Sequence, residues 1–146
     1  MPTAAKLFAA VALALAGFFT GALVLQYLPG VAGGGRLPLT AASIGLLLGW
    51  QVIGRSVGRG MWLAAQAGMR ASVYLVILVL FFLGTLQMIR WSVRMRYDGP
   101  FEALTDIVGQ GLDMGAAALR PDVVIVLFLG GALAGIASEW AHRRWV

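Results

Sequence analysis

Four long apolar stretches constrain this chain more than anything else in its sequence. They run over Leu7–Leu28, Leu37–Gly54, Ala71–Ile89 and Val123–Ser138, and none contains Lys, Arg, Asp, Glu or His. A run of about 20 apolar residues, rising about 1.5 Å each, matches a hydrocarbon core ~30 Å thick. Backbone in lipid has no water to bond to, so a spanning run becomes a helix. The expected fold is all-α: an integral membrane four-helix bundle forming one domain over residues 1–146. Its spans are expected at 7–28, 37–54, 71–89 and 123–139.

Composition agrees. Hydrophobic residues make up 60% and charged residues 12%, against roughly 25% charged in an ordinary soluble domain. The mean hydropathy is +0.87. After four spans, only the segment from Arg90 to Asp122 is long enough to hold structure outside the bilayer, so no soluble catalytic domain fits. The net charge of +5 would point to nucleic acid in a soluble protein. Here most arginines flank apolar spans, where they anchor to headgroups and set topology. The lipid bilayer is the expected partner, and nucleic acid is not.

With no cysteine and one histidine, the chain lacks disulfides, thiol redox chemistry and any multi-histidine metal site. It shows no Gly-rich phosphate loop, no Ser/His/Asp set and no paired carboxylates within a span. The reading is a non-enzyme with no cofactor and no metal. Lys6 and the apolar run after it resemble the start of a signal peptide. The run is longer than a usual signal core, however, and no Ala-x-Ala site follows, so cleavage is not expected.

Between the spans, Leu28-Pro29-Gly30 stops the first helix, Gly33-Gly34-Gly35 makes a flexible connection and Arg55–Gly60 is a short basic turn. One long helix over Met61–Arg94 would measure roughly 50 Å, more than the hydrocarbon core. Its ends would then lie outside lipid, and Arg70 would snorkel to the interface. Gly99, Pro100 and Glu102 start a further helix, expected over 100–119. It is amphipathic: Glu102, Asp106 and Asp113 fall within roughly 40° of one another at 100° per residue. Phe101, Leu104, Val108, Leu112, Gly115 and Leu119 lie opposite. It should rest on the membrane surface or on the other helices between the third and fourth spans, with its acids in water.

Charges inside a membrane usually mark ion paths or proton relays, and this reading places none near mid-span. The polar groups at membrane depth are Thr20, Gln26, Ser43, Gln51, Tyr74, Thr85, Gln87 and Ser138, most of which can bond to their own helix. Glu139 is the one carboxylate near a span, and with Arg143 it makes an interfacial ion pair. Gly17/Gly21, Gly45/Gly49 and Gly131/Gly135 form three GxxxG pairs that suit close helix packing. Arg90, Arg94 and Arg96 gather beside Tyr97 and suit an anion or a lipid headgroup. His142, between Trp140 and two arginines, belongs at the interface.

With four spans, Lys6, Arg55, Arg59, Arg70, Arg143 and Arg144 share one side, and Arg36, Arg90, Arg94, Arg96 and Arg120 the other. The longer third loop counts for less, so both termini are expected in the cytoplasm, with the acidic helix on the far side.

Four short motifs resemble the TrgA-type tellurium-resistance membrane proteins of alphaproteobacteria. They are Met1-Pro2-Thr3-Ala4-Ala5-Lys6-Leu7; Ile44-Gly45-Leu46-Leu47 leading through Gly49-Trp50 to Gly54-Arg55 and Gly58-Arg59-Gly60; Arg96-Tyr97-Asp98-Gly99-Pro100; and Arg143-Arg144-Trp145. In order and spacing they cover essentially the whole chain. The resemblance implies a small multi-pass protein of the bacterial inner membrane, associated with tellurite resistance, with no catalytic residues to carry over. A chain without cysteine cannot itself reduce tellurite with thiols. Three modes stay open: a non-enzymatic protein acting through packing, self-association or partner subunits; an oligomeric oxyanion transporter; and a stabilising subunit of a larger respiratory or photosynthetic complex.

Overall fold

The computed structural model describes residues 3–27, 36–93 and 99–145, with backbone alone at Thr3, Gln87, Met88, Arg90–Val93, Ala103, Asp106, Ile107 and Gln110. All described secondary structure is helical. The helices are α1 (Thr3–Tyr27), α2 (Leu37–Ser56), α3 (Met61–Val93), α4 (Pro100–Ala118) and α5 (Pro121–Trp145). All but α4 are long and apolar enough to cross a membrane. α2 starts with proline in its first turn, where the missing N–H costs nothing. It widens to π geometry over Gly49–Ile53, where the Gly54 N–H reaches back to the Gly49 carbonyl.

Small residues set how the helices meet. α1 and α2 run antiparallel with their backbones in near contact. A Cβ on Gly17 would lie 2.6 Å from the Ala41 carbonyl oxygen, one on Gly45 would lie 2.7 Å from that of Leu13, and one on Gly49 would lie 2.5 Å from that of Ala9. Gly21 seats Pro38 in the same way. α3 and α5 are also antiparallel. A Cβ on Gly131 would lie 2.6 Å from the Gly68 carbonyl oxygen, and one on Gly135 would crowd the Ala64 carbonyl. The buried Ser72 hydroxyl crosses this seam and donates to the Leu127 carbonyl at 3.0 Å. α5 packs on α1 as well, with Phe8 and Trp145 stacking at 5.1 Å between ring centres. Both ends of the described chain therefore lie at one end of the molecule. At the other end, the Tyr27 hydroxyl donates to Asp122, and Arg120 covers the Tyr27 ring at 4.0 Å.

The uninterrupted apolar run from Ala71 belongs to a longer helix, of which Met61–Leu86 is long and apolar enough to cross a membrane. Packing decides the register: Ala64 and Gly68 seat against Gly135 and Gly131, deep in α5, so Met61–Met69 is drawn in beside the other helices.

α4 touches the rest of the molecule sparsely, through the buried side chains of Met114 and Ala117. The stripe expected to cover a surface, Phe101, Leu104, Val108, Leu112 and Leu119, faces away from the protein, with Phe101 83% and Leu119 77% exposed. Glu102 and Asp113 are exposed too.

Candidate functional site

Glu139 is the one charged side chain buried among the described residues, at 3% exposure. It lies in the last turns of α5, where the α2–α3 turn passes. Its Oε2 accepts the Gly58 N–H at 2.8 Å, and its Oε1 lies 3.6 Å from Arg143 Nε. The Glu139–Arg143 pair thus exists, but its carboxylate is enclosed by protein. Nothing in the residue pattern pointed to its backbone partner, which is 81 residues away. Gly58 and Gly60 adopt φ of +90° and +108°, a region that L side chains rarely enter. His142 closes the other side of the turn: a Cβ on Gly58 would lie 3.2 Å from its Nε2, and its buried Nδ1 has no hydrogen-bond partner among the described residues. Lys6 contributes its alkyl stem, which packs over Gly54. A carboxylate accepting a backbone N–H inside protein makes a strong charge-assisted hydrogen bond. Here that bond ties the α2–α3 turn to α5.

Arg70 is the second feature. Gly68 stands opposite Gly131 and Ser72 opposite Leu127, so Arg70 is level with the region of Leu129. Leu129 is near the centre of the apolar run between Asp122 and Glu139. Gly130 in turn meets Ala16, midway between Lys6 and Tyr27. Arg70 is exposed on the outer surface of α3 and makes no ion pair or side-chain hydrogen bond among the described residues. A central arginine facing lipid carries a cost of roughly 2.5–3.5 kcal/mol on insertion scales.

A third feature is an apolar cleft of about 50 Å³ between α1, α2 and α3. Its walls include Gly21, Ala41, Leu75 and Val79, and Met114 and Ala118 of α4 close one end. Its one hydroxyl, on Thr20, donates to the Ala16 carbonyl of its own helix. The cleft is far smaller than the ~300–1,000 Å³ of a small-molecule site.

Of the sequence candidates, Gly17, Gly21, Gly45, Gly49, Gly131 and Gly135 all lie at helix–helix contacts. Their partners Ala64, Gly68 and Ser72 were missed, although small residues four apart carry the same signal as GxxxG. Arg94 and Arg96 lie outside the described residues, as does the Arg90 side chain. Compared with known proteins, the chain matches no family model, no curated protein and no solved structure.

Proposed function

We propose that this chain is a non-enzymatic four-helix membrane protein of the bacterial inner membrane that acts through packing and partner contacts in tellurite resistance. The observation that carries the membrane reading is the outer surface. Large apolar side chains face outward from every long helix, among them Leu15, Leu47, Phe81 and Leu133, with Phe81 73% and Leu133 63% exposed. Such a surface would drive aggregation in water and is ordinary in lipid. In this reading the three GxxxG pairs hold the bundle together. α4 lies at the interface, with its exposed stripe in the headgroup region and Glu102 and Asp113 toward water.

Both termini are assigned to the cytoplasm. With Arg70 at mid-depth, Lys6, Arg55, Arg59, Arg143 and Arg144 are balanced by five arginines opposite. Orientation then rests on loop length, since charges in the long third loop count for less. The tellurite association rests on the resemblance of the four motifs. Transport has less support, because Glu139 is consumed in holding the α2–α3 turn.

Growth of a deletion strain across a tellurite series, with and without the restored gene, tests the function. Selective sensitivity that the gene rescues is the expected result. Normal growth on tellurite, with reduced levels of a membrane complex, would transfer the reading to an accessory subunit.

A further inference from the structure

We propose that the outer face of α3 around Arg70 is a docking surface for a transmembrane helix of another protein, one that carries a carboxylate at mid-depth. The inference rests on the membrane reading above and specifies the kind of partner.

Arg70 does not stand alone. Trp62, Gln66, Arg70 and Tyr74 follow one another at four-residue spacing, so they form a stripe along one side of α3. Trp62, Arg70 and Tyr74 are exposed and Gln66 is half-buried. Each can donate a hydrogen bond; Gln66 and Arg70 would face hydrocarbon in an isolated protein, while Trp62, level with the end of the α5 apolar run, would sit nearer the headgroups. Polar side chains in membranes turn inward or meet another polar group. The inward face of α3 at this depth is already filled by Ala64, Gly68, Ala71, Ser72 and Leu75 against its neighbours. The stripe therefore points to a neighbour outside this chain.

Charge decides which neighbour. The six acids of the chain are Asp98, Glu102, Asp106, Asp113, Asp122 and Glu139. None interrupts a long apolar run: Asp122 and Glu139 bracket that of α5, and the rest fall between Val93 and Leu119. A second copy would bring another Arg70 to mid-depth and no carboxylate to meet it. A lipid headgroup phosphate is the competing ligand, and the test below separates it. A helix of a different chain with a central Asp or Glu supplies the missing charge where it is needed, and guanidinium pairs with carboxylate through two parallel hydrogen bonds.

The test uses the full chain in phosphatidylcholine vesicles. The probe is a Leu/Ala transmembrane peptide with one central Glu, compared with the same peptide carrying central Leu. Because the chain has no cysteine, a dye on Arg59→Cys reports association by energy transfer. The Glu peptide is expected to associate about tenfold more tightly than the Leu peptide. That preference should vanish when Arg70→Leu is added to the labelled protein and persist when Arg36→Leu is added instead. Arg70 is exposed, so Arg70→Leu should melt no lower than the parent in detergent. If it does melt lower, Arg70→Gln takes its place.

Equal binding of the two peptides, or a preference that survives Arg70→Leu, overturns the proposal. So does transfer between two labelled copies of the protein that Arg70→Leu abolishes, because the occupant would then be a second copy. Loss of phosphatidylglycerol retention in Arg70→Leu, without any peptide preference, assigns the arginine to a lipid headgroup instead. Failure of the protein to float with vesicles after alkaline carbonate would overturn the membrane reading itself.

Discussion

Glu139 fastens one end of the molecule by holding a single N–H. Removing its carboxylate leaves the Gly58 amide unpaired inside protein, a loss of about 1–3 kcal/mol. Glu139→Ala should unfold at correspondingly lower denaturant in detergent, and Glu139→Gln, which keeps an acceptor oxygen, should lose less than half as much. Equal losses would mean that the charge pair with Arg143 matters and the amide does not. The glycines divide just as sharply. Gly45→Val places carbon against the Leu13 backbone and should cost about 3 kcal/mol or more, since neither backbone can yield. Gly84 has open space around it, so Gly84→Ala should change stability by no more than ~1 kcal/mol. Thermal melts of the two variants check the contrast. Sequence spacing picked out Gly45 because a four-residue repeat of glycine is visible in one helix. It could not pick out Gly58 as the partner of Glu139, because the two residues lie far apart along the chain and meet only once α3 and α5 have found their register.

At the scale of elements, the π segment in α2 is the most specific feature. Over Gly49–Ile53 the helix holds one residue more than α geometry would place there. Deleting Gln51, which is exposed, should let this turn revert to α geometry with the residues on either side still in register. Deleting Ile44 instead should rotate Gly45 off α1 by about 100°. Membrane yield and melting temperature should stay near the parent for the first deletion and collapse for the second. Collapse in both would mean that the wide turn is required for its own shape. Helix existence was readable here from apolar length alone. The packing of α3 was not, because the seat that Gly131 and Gly135 offer to Gly68 and Ala64 lies on another helix. The outward aim of the α4 stripe was also out of reach. Its periodicity defines an apolar face without saying whether protein or lipid meets it.

For the whole molecule, the antiparallel order of α1, α2, α3 and α5 places Lys6, Arg59 and Arg144 near one end and Arg36 and Arg120 near the other. Single-cysteine variants of this cysteine-free chain make the orientation measurable. In intact cells a membrane-impermeant maleimide should label Arg120→Cys and Arg36→Cys, and should reach Arg59→Cys and Arg144→Cys only after the membrane is opened. The reverse pattern would invert the molecule without altering its fold. Order of synthesis adds a further consequence. α5 is the last of these helices to leave the ribosome, yet it supplies the seat for Gly68, the acceptor for Ser72 and the carboxylate for Gly58. Until it arrives, the three earlier helices sit in the bilayer with a backbone groove open and a glycine turn untethered. A chain cut before Pro121 should therefore lose the contacts that close this groove and hold the turn, and should melt well below the parent in detergent.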